Sequence, residues 1–262
     1  GGRGATTGVR CGAGAAVSIP LLHGDCREVL QTLPAQSFQT VAIDPPYMTN
    51  NTKAKYADSR MLAAKQWTNF AADWDTWPSQ EAYQTDVELW CEAMRRVMDT
   101  DACIWVCGSH HSIPTWDLAL KRLGFWVNQW VQWCIPNSMP NVAMTQMVSA
   151  NQTMIWARKS QKSKLYYDKQ AARLYNKGKN LRDYWLIPND SQAGRWFKHP
   201  SKKPVALIHR QLHISTPPSG AVLDCFAGSG TTGVAARELC LDCTLIERQA
   251  EYIPMIEQRL AG

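Results

Sequence analysis

Apolar positions along this chain fall into short unbroken runs that alternate with stretches of helical spacing. "VSIPLLHGDC" reads as a short strand ending at Gly24-Asp25, and "REVLQTLP" as a short helix closed by Pro34. "QTVAIDPP" is a continuous apolar run that stops in turn chemistry, which predicts a buried strand. Between Glu81 and Met98, Val87, Leu89, Trp90, Met94 and Val97 recur at helical spacing. "ACIWVCG" predicts a further buried strand ending at Gly108. "IPTWDLALKRLG" predicts a helix with Pro114 in its first turn and Gly124 at its end. "WVNQWVQW" and "QTMIWAR" read as an antiparallel hairpin at the far edge of the sheet, with their tryptophans packing core or edge. "HPSKKPVALIHRQLHIS" then reads as a helix, "AVLDCFAGSGTTGVAAREL" as strand, turn and helix, "CTLIE" as a strand, and about 250–260 as a last helix. Strands alternating with helices predict an α/β fold around a doubly wound, mostly parallel, Rossmann-like sheet.

The 262 residues suffice for one large domain, expected over 17–262. "GGRGATTGVRCGAGAA" is expected to be a flexible tail, because it lacks the apolar core of a signal peptide. No apolar run reaches 18 residues, so no membrane span is expected. Nine cysteines, an odd and scattered set, suggest reduced thiols and an intracellular protein. Cys240 and Cys243 form a lone C-x-x-C without a second pair, so no metal site is expected.

Charge changes this picture locally. The formal net charge is only +6, yet nine Lys/Arg and a single acid, Asp168, lie between Arg158 and Arg182. Tyr166, Tyr167 and Tyr175 are interleaved with them. Basic groups with aromatics suit a phosphate backbone and stackable bases, although a solvated charged surface has the same composition. Residues 48–80 are polar and too long for an ordinary connection. They and 158–198 are the expected target-contacting segments, both next to strand ends expected to border the site.

Two turns carry candidate chemistry. In "AVLDCFAGSGTTGVAA", Asp224 ends a strand, Gly228 and Gly230 make the turn, and Thr231-Thr232 open a helix. Glycines there let a ligand approach the backbone at the carboxyl edge of a sheet. Glu247 ends the next strand, 23 residues beyond Asp224, near the spacing at which an acidic residue receives ribose hydroxyls. The turn lacks the lysine of a phosphate-gripping loop. Gly233 completes a dinucleotide-like spacing, so that ligand class stays open.

The second turn is "DPPY", Asp44 to Tyr47. An amine on an aromatic base is a poor nucleophile, because its lone pair is delocalised into the ring. Acceptors on both N–H bonds draw that pair back to nitrogen. Asp44 offers one acceptor and the Pro45 carbonyl another. The prolines stiffen the corner and remove its backbone donors. Tyr47 offers a face for a base held outside its helix.

"DPPY" together with "DCFAGSGTT" resembles the S-adenosylmethionine-dependent amino-methyltransferases that modify adenine N6 or cytosine N4 in DNA. The catalytic motif precedes the cofactor motif, as in the β group of that family. "HGDC", "HPSKKP" and "LIERQAEYIPMIEQRL" extend the likeness over about 17–262. Cys225 stands where the family often has Pro, and Ser201-Lys202 replace Thr-Gln. The resemblance implies S-adenosyl-L-methionine as cofactor and double-stranded DNA as partner, and it leaves room for a homodimer. It implies that Asp44, Pro45, Pro46 and Tyr47 face the target amine. Asp224, Phe226, Gly228 and Gly230 would line the cofactor, Glu247 its ribose and Asp25 its adenine. His199, Ser201 and Lys203 would flank its methionine end, with Lys203 on the carboxylate. Asp at the first motif position favours adenine N6. Cytosine N4, an RNA adenine and a non-catalytic nucleic-acid-binding subunit stay open.

Overall fold

A computed structural model describes residues 17–49, 73–138, 140, 144–145, 147–190 and 202–261. The expected tail at 1–16 and most of the polar segment 48–80 lie outside the described residues.

Among the described residues, eight strands form one sheet: β1 (Leu21–His23), β2 (Phe38–Ile43), β3 (Met98–Gly108), β4 (Trp126–Cys134), β5 (Asn151–Arg158), β6 (Tyr184–Leu186), β7 (Val222–Asp224) and β8 (Cys243–Glu247). Their order is β1-β8-β7-β2-β3-β5-β4-β6. From β1 to β3 every pairing is parallel, β5 is antiparallel to both β3 and β4, and β6 runs parallel to β4. The β4–β5 hairpin is therefore present, but it is not the edge. The three residues of β6 add outside β4, pairing Gln132 with Tyr184 and Cys134 with Leu186.

The helices described with them are α1 (Cys26–Thr32), α2 (Gln80–Val97), α3 (Ile113–Arg122), α4 (Lys169–Leu174), α5 (Val205–Ser215), α6 (Thr231–Glu238) and α7 (Ile253–Ala261). The central strands are apolar on both faces because both faces are covered. Val41, Ile43, Ile104 and Val106 pack with Leu30 of α1, Val87 and Met94 of α2, and Trp116 of α3. Ala42, Trp105 and Cys107 pack on the other side with Leu207 and Leu212 of α5 and Ala235 of α6. Trp105 lies stacked on Trp156, with ring centroids 5.2 Å apart, and its indole N–H donates to Ser215 Oγ at 2.9 Å. Trp105, Trp116, Trp133 and Trp185 are fully buried, as expected of core residues. Trp126 and Trp130 of β4 remain exposed.

α2 starts where Ser79 Oγ accepts from the Ala82 N–H at 3.2 Å, and it ends on Arg95 and Arg96, which suit the negative end of the helix. Cys26, Cys91, Cys103, Cys107, Cys134, Cys225 and Cys243 are free thiols. No helix among the described residues is long and apolar enough to cross a membrane.

Parallel pairing brings the carboxyl ends of β1, β2, β3, β7 and β8 to one edge. His23, Ile43, Gly108, Asp224 and Glu247 therefore end together, and the two candidate turns leave from adjacent strands, β2 and β7. This is where open α/β sheets bind ligands.

Candidate active site

The two turns line one cavity of about 570 Å³, within the size range of small-molecule sites. Of the residues singled out in the sequence, Asp25, Asp44, Pro45, Pro46, Tyr47, Lys203, Asp224, Phe226, Gly228 and Glu247 border it. Gly230 stands behind the wall, at the start of α6. His199 and Ser201 lie outside the described residues.

At the glycine turn, Gly228 and Gly230 have φ of 52° and 72°, the left-handed region that glycine adopts without strain. A Cβ on Gly230 would meet Ile256 Cγ2 of α7 at 2.9 Å. The Gly228 N–H donates to Glu247 Oε2 and the Gln249 N–H to Oε1, both at 2.7 Å. Each carboxylate oxygen keeps lone pairs, and these are the acceptors a ribose diol needs. Burial raises the Glu247 pKa, against the pull of those backbone donors. Asp224 accepts from Thr232 Oγ1 at 2.6 Å and from the Phe226 N–H at 3.0 Å. Burial nevertheless pushes its carboxyl up to about 7. Asp25 caps α1 by accepting from the Arg27 N–H at 2.9 Å, and it pairs with the Arg27 guanidinium at 2.8 Å. The Arg27 hydrogen bond holds the Asp25 pKa down. Phe226 meets Trp90 edge-on at 5.1 Å, giving the cavity an aromatic wall.

The corner after β2 is tied differently from its expected form. Asp44 Oδ2 accepts from Lys203 Nζ at 2.6 Å, and Lys203 is 4 % exposed. The family resemblance implies a cofactor carboxylate as the partner of Lys203; in this structure the partner is Asp44. The Lys203 carbonyl accepts from Thr231 Oγ1 at 3.1 Å, so the lysine joins the corner to the glycine turn. Tyr47 turns its hydroxyl inward and donates to Asp44 Oδ1. Burial and the neighbouring carboxylate raise the Tyr47 pKa well above its ordinary value. The Pro46 carbonyl accepts from Tyr83 OH at 2.7 Å.

Sequence reasoning missed Trp74, Asp75, Trp77, Asp86, Trp90 and Tyr252, all of which border the cavity. Trp90 carried a signal, its helical spacing, but that signal reports only burial. Asp75 lies in the long polar segment, where nothing distinguishes it from its neighbours.

One expectation about location is corrected. β5 runs opposite to β3, so the basic stretch leaves it at Arg158, which pairs with Cys103 far from Gly108. Lys159 Nζ donates to the Met98 carbonyl at 2.5 Å, and Ser163 Oγ to the Thr100 carbonyl at 2.6 Å. The beginning of the basic stretch therefore lies at the edge opposite Asp44. Among the described residues, β6 carries the chain back towards the site edge, and 191–198 lie outside them.

The DNA methylase family of N6/N4 methyltransferases matches this chain over residues 38–258. The chain belongs to this family. It is 30% identical over 242 residues to the Type II methyltransferase M2.LlaDCHI of Lactococcus lactis subsp. cremoris, covering 92% of this chain and 88% of that one. It is 30% identical over 248 residues to the Type II methyltransferase M.HinfI of Haemophilus influenzae, covering 92% and 67%. Among solved structures, M1.HpyAVI in complex with SAM superimposes with a TM-score of 0.66 at 25% identity, covering 93% of this chain and all (100%) of that one. The cytosine-N4-specific PvuII DNA methyltransferase superimposes with a TM-score of 0.71 at 18% identity, covering 92% and 86%, a likeness of fold. The chain is thus an S-adenosylmethionine-dependent DNA amino-methyltransferase of the N6/N4 family.

Proposed function

We propose that this chain methylates the N6 amine of an adenine rotated out of duplex DNA. The observation that carries the reading is the acceptor-rich corner at Asp44 and Pro45, bordering the same cavity as the Gly228–Glu247 wall. The amine offers two N–H donors. Asp44 receives one and the Pro45 carbonyl the other, while the Pro46 carbonyl is already taken by Tyr83. Asp44 already accepts from Tyr47 and Lys203, one on each carboxylate oxygen, and each oxygen keeps a lone pair for the amine. Tyr47 borders the same cavity, and its ring is the aromatic face proposed to stack on the base. Asp44 acts as an acceptor while the nitrogen becomes tetrahedral, and the amine proton leaves late. Orientation of the two reactants supplies up to ~7 kcal/mol.

The cavity suits S-adenosylmethionine: Glu247 has free lone pairs for ribose hydroxyls, and Phe226 and Trp90 offer apolar walls. When bound there, the cofactor supplies an electrophilic methyl group on its sulfonium. Asp25, Asp224 and Gly228 are proposed to hold its nucleoside, and His199, Ser201 and Lys203 to lie towards its methionine end.

Asp at the head of the catalytic motif favours adenine over cytosine. Mass spectrometry of nucleosides from DNA incubated with the protein and cofactor tests this directly. N6-methyladenine is expected. N4-methylcytosine would reassign the base, and product on RNA alone would reassign the substrate.

A further inference from the structure

Pro45 and Pro46 have no backbone N–H, so the first donors beyond the reacting corner belong to Tyr47, Met48 and Thr49. All three converge on one side chain, Asp75, whose residue is 8 % exposed. The Tyr47 and Met48 N–H groups donate to Asp75 Oδ1 at 2.6 and 2.8 Å, and the Thr49 N–H to Oδ2 at 3.2 Å. Thr49 Oγ1 also donates to Oδ2. Met48 has a left-handed φ of 56°, rare for a residue with a side chain. Such a turn points successive N–H groups to one side and makes a concavity for an anion. Here the anion is supplied from 28 residues along the chain, in the 3₁₀ turn Asp73–Asp75.

We infer that Asp75 is the positioning residue of the methylation corner. Asp75 borders the cavity, but in this role it acts through the backbone of the corner. It grips the outgoing limb of the corner, while Tyr83 grips the Pro46 carbonyl at 2.7 Å. Asp44 and the Pro45 carbonyl lie between β2, which ends at Ile43, and these holds on the Pro46–Tyr47 peptide, and so keep a fixed separation and direction. The inference rests on the proposed role of Asp44. It also explains the residue type at 75: a carboxylate presents only acceptors, and four donors face it. An amide would turn an NH2 group towards some of them.

The test compares D75N and D75E with wild type, scoring kcat per cofactor-binding site, cofactor Kd and thermal midpoint, with D44A in parallel. D75N is expected to lose about 100-fold in kcat per site, the cost of a small misplacement of reacting groups. Its cofactor Kd should stay within about twofold, a split that separates transition-state loss from lost binding. D75E, which restores an all-acceptor group, should recover part of kcat. Wild-type kcat per site in D75N, or equal kcat losses in D75N and D75E that track falling cofactor affinity, overturns the inference. An active D44A would instead overturn the proposed role of Asp44, so the two failures are distinguishable.

Discussion

Single side chains decide how the site is held. Buried Lys203 and part-buried Asp44 form an ion pair at 2.6 Å, and removing Asp44's partner leaves its carboxylate without a counter-charge. K203M is therefore expected to lose at least ~10-fold in kcat with little change in cofactor Kd. Steady-state kinetics with a binding isotherm check this, and the opposite split would return Lys203 to the cofactor carboxylate. Gly230 gives a second expectation. Its φ is 72°, and a Cβ there would sit 2.9 Å from the Ile256 methyl, which leaves no room for alanine. G230A should lower stability by at least about 1 kcal/mol, the cost of a left-handed L-residue alone, read as a fall in the thermal or denaturant midpoint.

At the scale of elements, the basic stretch makes a test of its own. Lys162, Lys164 and Lys177 are exposed, and the stretch starts at the edge opposite the corner. If it holds DNA, it does so through phosphates and not through the reacting base. Reversing all three charges should weaken DNA binding across sequences and flatten the salt dependence by up to about 3 in log–log slope. The kcat at saturating DNA should not change. Unaltered affinity in a salt titration would discard the assignment.

The same scale shows what was legible in the sequence. β2, β3 and β8 were readable because buried parallel strands are unbroken apolar runs, and α2 because its apolar positions repeat over 18 residues. Both turns were legible because glycine and proline restrict the backbone in ways that show in composition. β6 is three residues long and lacks the glycine turn that marked β1 and β7, and α4, six residues long, is too short for a helical period to register. The Asp75 clamp was illegible for another reason: it joins residues about 28 apart through a polar segment with no pattern. The location of the basic stretch was misjudged because strand direction depends on pairing, and a local run of residues does not encode it.

Across the whole molecule, the converging strand ends bury acids, and this gives stability a pH dependence. Folded Asp224 keeps its proton up to about 7, whereas an ordinary Asp loses it near 3.8. Between those values the folded state binds more protons than the unfolded chain. The stabilising contribution is therefore full below about pH 4 and is lost as pH rises through 7. Glu247 is raised by burial and acts in the same sense, while Asp25 is lowered and acts in the opposite one. In D224N the amide can still accept from Phe226 and donate to Thr232. Its thermal midpoint should accordingly fall less than that of wild type between pH 5 and 8. Parallel curves for the two proteins would contradict a protonated Asp224.

The carboxylate of Asp44 is proposed to receive the amine of an adenine. Single-turnover methylation by wild type and D44N, with nucleoside mass spectrometry of the DNA and a cofactor isotherm for each protein, tests it most directly. N6-methyladenine is expected from wild type and a severe loss of that product from D44N, with cofactor affinity retained. Undiminished methylation by D44N would contradict it.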